Sequence, residues 1–340
     1  MRKRIAWMFD PFLIALLLAV VLASLWPPRG AFAPVAQGAA DAGIVLLFFL
    51  HGAKLSREAI WDGARNCKLH GSVLAITFAA FPLLGLAIVA LPLGLGPLAT
   101  GFLFLTLLPS TVQSSIAFTA IARGNVAAAV CSATFSNLAG IALTPLLVAV
   151  LISGAAGSNG GVSTDAVRAI VLQLLVPFAL GHALRPLIGA FVSRHKQMLS
   201  LVDRGSILLV VYVSFGAAVV EGLWRRVSIE QIGIITLLSC VLLAIVLGLT
   251  ALTGRMLGLP REDRIVLQFC GSKKSLATGV PMAGVLFPAT QVGVMILPLM
   301  IFHQIQLVVC AVLARHYAEE GVRAEKGVRP PGEPASPAAD

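Results

Sequence analysis

Two lysines stand where a chain this apolar should tolerate none. The run Phe269-Cys270-Gly271-Ser272-Lys273-Lys274-Ser275-Leu276-Ala277-Thr278-Gly279 lies between hydrophobic stretches near the C-terminal end. In hydrocarbon a lysine costs about 2.5–3.5 kcal/mol at mid-membrane on insertion scales. A pair wrapped in glycine and serine is therefore the first candidate for a functional centre. Buried ammonium groups can pair with an anion, neutralise carbonyl dipoles or, once desolvated, act as nucleophiles. A second polar run, Pro109-Ser110-Thr111-Val112-Gln113-Ser114-Ser115, interrupts another apolar stretch. A helix that breaks at such a run and resumes presents unpaired N–H groups and the positive end of its dipole. Ser114 and Ser115 are candidate caps for one such end, and Ser275 for the other. Two such ends beside an ammonium suit an anion. Ser110, Thr111, Gln113, Ser114, Ser115, Lys273, Lys274 and Ser275 are thus the expected substrate-binding residues.

The elements that must position them are membrane spans. The chain is 58% hydrophobic and 12% charged, against about 25% charged in soluble domains. Apolar runs of spanning length recur along nearly all of its 340 residues. We read ten spans, near Pro11–Trp26, Pro34–Leu50, Leu69–Leu91, Pro97–Ala122, Val126–Ser153, Val167–Ala190, Ser206–Gly222, Ile232–Thr253, Ile265–Phe287 and Val292–Ala314. This predicts an all-α polytopic membrane protein. The formal charge of +10 does not indicate a nucleic-acid partner, because the basic residues cluster in short loops. With the termini on the cytoplasmic side, nineteen of the twenty-five Lys and Arg fall on that side, from Arg2, Lys3 and Arg4 through Lys54, Arg123 and Arg204 to Arg329. Arg29, Arg168, Arg225 and Arg226 fall outside, and only Lys273 and Lys274 have no loop to occupy.

The N-terminus has a rival reading. Met1-Arg2-Lys3-Arg4, an apolar stretch and Ala31-Phe32-Ala33 resemble a cleavable signal peptide, whose removal would spoil the charge alternation. From Glu319 to Asp340 the composition predicts a disordered cytoplasmic tail. The five cysteines show no metal spacing and read as small apolar residues, with Cys270 bordering the lysines.

A glycine-rich stretch, Gly154–Ser163, divides the chain into repeats 1–155 and 165–318 of five spans each. Five is odd, so the halves enter the membrane in opposite directions, and the fourth span of each carries the break. Inverted repeats with discontinuous helices in matching positions point to a transporter's central site. The competing use of a lysine here is structural, satisfying free carbonyls and holding the break open. Adjacent helical residues point about 100° apart, so one lysine is expected to be structural and one to face a cavity.

With these residues in view, the chain resembles the bile acid:sodium symporter superfamily, and most closely its bacterial SBF-like branch. The resemblance covers Phe12 to His316. It is carried by Ala122-Arg123-Gly124-Asn125-Val126-Ala127 after the fourth span, by the two breaks, and by His303-Gln304 in the last span. It implies two outer spans per half packed as a panel on a core, with the broken helices crossing at the site. It also implies cotransport of sodium with bile acids or other organic anions, and adds His303 and Gln304 to the substrate-binding set.

The sodium ligands are where this sequence departs. The family's third span carries Gln-Phe-x-x-Met-Pro; here Thr77-Phe78-Ala79-Ala80-Phe81-Pro82 puts Thr77 in place of the glutamine. The family's bridging glutamate, two positions before a glycine kept as Gly271, is Phe269, and the following Gln-Asn is Lys273-Lys274. Thr77, Ser132, Thr134, Asn137 and Gln268 are the expected remnants of the cation sites. A lysine ammonium is therefore expected to occupy the space of a bound cation, making transport sodium-independent or proton-coupled, with no cofactor.

The leading expectation is a secondary transporter of a small organic anion in a bacterial-type inner membrane. The alternatives are a sodium symporter with rearranged ligands and a non-transporting regulator on the same fold. A lysine-dependent enzyme is disfavoured, since no activating carboxylate lies near the lysines in sequence and the chain has no cofactor motif. Substrate identity and oligomeric state are not encoded legibly.

Overall fold

A computed structural model describes residues 11–54, 66–153, 168 and 171–325, and among these all regular structure is helical. Helix α1 is Pro11–Leu25 and α2 is Phe32–Lys54. Helix α3 is Cys67–Val89, begun by Asn66, whose side chain accepts from the Leu69 N–H at 3.2 Å. Helices α4 (Pro97–Leu107) and α5 (Gln113–Ile121) are the halves of one interrupted element. Helix α6 is Val126–Val148 and continues as a π-turn over Ala149–Ser153. Helices α7 (Val171–Arg194), α8 (Lys196–Val220) and α9 (Ile229–Met256) follow. Helices α10 (Arg261–Gly271) and α11 (Leu276–Leu286) are the second interrupted pair, and α12 is Ala289–Glu325. Seven of these helices are long and apolar enough to cross a membrane. The protein is a multi-pass membrane protein.

Local chemistry accounts for the interruptions. Pro109 forces the residue before it out of the helical region, and Leu108 is extended at φ −78°, ψ 156°. The second interruption has no proline; Ser275 is extended and its hydroxyl caps the Thr278 N–H at 3.2 Å. That cap is the one expected. The caps expected of Ser114 and Ser115 do not form: Val112 occupies the cap position without a side-chain bond, because both hydroxyls turn toward Thr111 instead. Within α3 a π-turn runs over Ile76–Ala80, where the Phe81 N–H reaches the Ile76 carbonyl. One residue on, the matching donor for the Thr77 carbonyl would be residue 82, a proline without an N–H.

Helices α1, α2, α7 and α8 pack on one another as one slab, and α3–α6 with α9–α12 form a second. Helices α2 and α7 cross in direct backbone contact. A Cβ at Gly52 would lie 2.0 Å from the Phe178 carbonyl, and one at Gly181 would lie 2.0 Å from the Phe49 carbonyl. Small residues permit such approach where lipid supplies no hydrophobic drive. Helix α8 joins the slabs through α11 and α12.

Two boundaries differ from expectation. Helix α8 starts at Lys196 rather than Ser206, and Asp203 on that added stretch pairs with Lys54 of α2. Helix α12 continues past Glu319 to Glu325, and Arg261 donates to the Tyr317 carbonyl, tying this extension to α10. Arg2–Arg4, Gly154–Ser163 and residues 326–340 lie outside the described residues.

Candidate functional site

The two interruptions meet, and each satisfies carbonyls that the other leaves free. A helix end has four carbonyls without intrahelical partners. At the end of α10, Ser115 Oγ donates to the Phe269 carbonyl at 3.0 Å and Ser110 Oγ to the Cys270 carbonyl at 2.5 Å. In return the Ser275 N–H donates to the Pro109 carbonyl at 2.9 Å. Asn137 of α6 links both sides: its Nδ2 donates to the Ser110 carbonyl at 2.8 Å, and its Oδ1 accepts from Thr278 Oγ1 at 2.9 Å. The Leu107 carbonyl accepts from Thr144 Oγ1 at 2.8 Å.

Lys274 completes this crossing. Its side chain is 0% exposed, and its ammonium donates to the carbonyls of Thr77 at 2.8 Å, Thr106 at 2.8 Å and Leu108 at 2.7 Å. The first is the carbonyl left without a donor by Pro82; the other two belong to the end of α4, where the helix dipole is negative. The Phe81 ring lies beneath, its centroid 4.1 Å from Nζ. The backbone of Lys274 is held just as firmly, for its N–H donates to Gln306 Oε1 and its carbonyl accepts from Gln306 Nε2, both at 2.9 Å. Gln306 Nε2 also lies 2.8 Å from His303 Nδ1.

Lys273 has a different environment. It too is 0% exposed, yet its ammonium has no hydrogen-bond partner among the described residues. It rests over two ring faces, Phe118 at 4.2 Å and Phe269 at 5.3 Å from the centroids. Cation–π contacts of this kind contribute about 2 kcal/mol when desolvated.

A cavity of about 740 Å³ lies between the slabs. Its polar wall comes from both interruptions and their neighbours: Thr111, Gln113, Ser114, Thr134, Asn137, Ser275, Thr278, His303 and Gln304. Phe12, Phe48, Phe118 and Phe178 supply apolar wall. His51, Lys54, Asp203 and Arg204 also line it, with Lys54 and Asp203 paired. Of the residues singled out in the sequence, Thr111, Gln113, Ser114, Ser275, His303 and Gln304 thus share one wall. Ser110, Ser115, Lys273 and Lys274 lie behind it.

Of the expected cation-site remnants, Thr134 and Asn137 line the cavity. Ser132 Oγ pairs with His70 Nδ1 at 2.8 Å, and Gln268 Nε2 donates to the Leu247 carbonyl at 3.0 Å. Thr77 contributes its carbonyl, while its hydroxyl has no partner among the described residues. The oxygens that converge on the crossing are therefore filled by an ammonium, and Phe269 supplies no carboxylate there. Sequence reasoning missed the clamp role of Gln306. It also missed Asp263, whose carboxylate accepts from Asn66 Nδ2 at 2.8 Å and Asn125 Nδ2 at 3.0 Å. The asparagine of the Ala-Arg-Gly-Asn run was the available signal for that clasp.

Comparisons with known proteins agree with the resemblance. The family described as the SBF-like CPA transporter family matches residues 10–319. The protein PA2026 of Pseudomonas aeruginosa is 56% identical over 314 residues, covering 91% of this chain and 93% of that one. YfeH of Escherichia coli, named as a candidate symporter, is 52% identical over 313 residues, covering 92% and 93%. Sodium/bile acid cotransporter 7 of Danio rerio is 26% identical over 319 residues, covering 89% and 91%.

Proposed function

Since the chain belongs to the SBF-like CPA transporter family and is thereby a bile acid:sodium symporter-like transporter rather than an enzyme, we propose that it carries a small organic anion without bound sodium, Lys274 standing permanently where a coupling cation would sit. One observation carries this reading: three backbone carbonyls converge on the Lys274 ammonium at 2.7–2.8 Å. Oxygen dipoles so arranged would otherwise suit a small hard cation. The ammonium neutralises them without an ion having to bind or leave.

The substrate site is the cavity between the slabs, with hydroxyls and amides of the two interruptions at its wall and His51 and Arg204 also facing it. Transport moves the α1, α2, α7 and α8 panel against the core, exposing the crossing to each side in turn. The ten spans form two inverted repeats, 1–155 and 165–318, in an inner membrane with both termini cytoplasmic. The loop distribution of Lys and Arg supports that orientation, and it makes the Lys54–Arg204 side of the cavity the cytoplasmic one.

The test is a melt of the purified full chain in sodium chloride against choline chloride. A ligand at 100 times its dissociation constant stabilises by about 2.7 kcal/mol. Wild type is expected to melt alike in both salts. Stabilisation of wild type by sodium would overturn the reading and favour a sodium symporter with rearranged ligands.

A further inference from the structure

Lys273 is the charge that this scheme leaves unused. Lys274 spends its donors on three carbonyls, whereas among the described residues Lys273 meets the faces of Phe118 and Phe269 and no hydrogen-bond acceptor. The titratable groups acting on it are the thiols of Cys270 and Cys310. Ring faces attract a cation but do not take its N–H groups as an oxygen does. An ammonium held in a dry interior with its donors unspent is a receptor for an anion, because charge-assisted hydrogen bonds are strongest there.

The nearest place for an anion is one ring away. Phe118 carries the Lys273 ammonium over its face and also lines the cavity. It belongs to a small cluster apart from the main core, made with Ala122, Ile265, Phe269, Cys310, Ala311 and Ala314.

We propose that Phe118 is a gate, and that Lys273, reached when this ring turns, pairs with the carboxylate or sulfonate of the transported anion. The proposal rests on the cavity being an organic-anion site. Once paired, anion and ammonium neutralise each other, so the loaded site needs no sodium counter-ion. With the cavity empty, the ring closes and its face holds the ammonium.

Pyridoxal 5′-phosphate, an anionic aldehyde, condenses with an amine to an imine that borohydride reduces to a stable secondary amine. Purified full-length wild type and Phe118→Ala are treated with it, and the modified lysines are located by tandem mass spectrometry. Lys273 is expected to be labelled at least tenfold faster in Phe118→Ala, with Lys274 unlabelled in both. Naphthalene-2-sulfonate, a non-reactive organic anion, is expected to slow labelling of Lys273 but not of Lys196, an exposed lysine outside the cavity. Equal labelling of Lys273 in both proteins overturns the gate and leaves the transporter reading standing. Faster labelling without protection overturns the proposal through the cavity reading beneath it. Phe118→Leu replaces the alanine variant if that one does not fold.

Discussion

Replacing Lys274 removes the ammonium that ties α3, α4 and the second interruption together, and two replacements separate its charge from its bulk. Lys274→Met keeps most of the volume but leaves the carbonyls of Thr77, Thr106 and Leu108 without their donor. Hydrogen bonds to charged groups are worth about 1.5–3 kcal/mol each, so about 4.5–9 kcal/mol is lost. Removing the charge also relieves a desolvation cost of several kcal/mol. The expected net is a destabilisation of about 2–4 kcal/mol. Lys274→Ala costs more in choline, since truncating a fully buried side chain adds roughly 2–5 kcal/mol. In sodium the two variants diverge. The alanine variant has converging carbonyls and space, and recovers about 2.7 kcal/mol at saturating sodium; the methionine variant has the space filled and recovers none. Thermal melts followed by tryptophan fluorescence, at equal ionic strength in sodium or choline, read this directly. Variants that respond alike to sodium would refute the claim that Lys274 fills a cation site.

Three further outcomes follow from the packing. Gln306→Leu strands the Lys274 N–H and carbonyl, and a melt should show a loss of about 2–5 kcal/mol. Gly52→Ala and Gly181→Ala each place a Cβ 2.0 Å from a carbonyl, so both should destabilise strongly in the same melt. Gly233→Ala, where a Cβ meets nothing within 4 Å, should instead stabilise by about 0.5–1 kcal/mol. Asp263→Asn replaces one of the two accepting oxygens with an NH2 donor that faces an asparagine NH2, should cost about 1–3 kcal/mol, and should speed amide exchange across Arg123–Val126.

The interruptions were legible because their causes are local. Pro109 acts on Leu108, the next residue back, and Ser275 caps an N–H three residues on. The caps assigned to Ser114 and Ser115 failed for the opposite reason. Ser114 meets the Thr111 hydroxyl, and Ser115 spends its proton on the carbonyl of Phe269, 154 positions away. A buried carbonyl without a partner outweighs a local cap that water or backbone can replace.

The sequence by itself determined the class of molecule, the places where two helices must break, and the family, because each rests on composition, on proline and serine chemistry, or on short runs such as Ala122–Ala127. Only the tertiary structure decided what the two lysines do. They are adjacent in the chain, equally buried and identical in chemistry, so nothing local distinguishes them. Their surroundings do: Lys274 is held by carbonyls 166 to 197 positions away, freed by Pro82 and by the end of α4. Lys273, pointing elsewhere from the same break, finds the rings of Phe118 and Phe269. Which of two neighbouring charges finds oxygen and which finds only π-faces is a property of how distant segments cross, and no residue spacing encodes it.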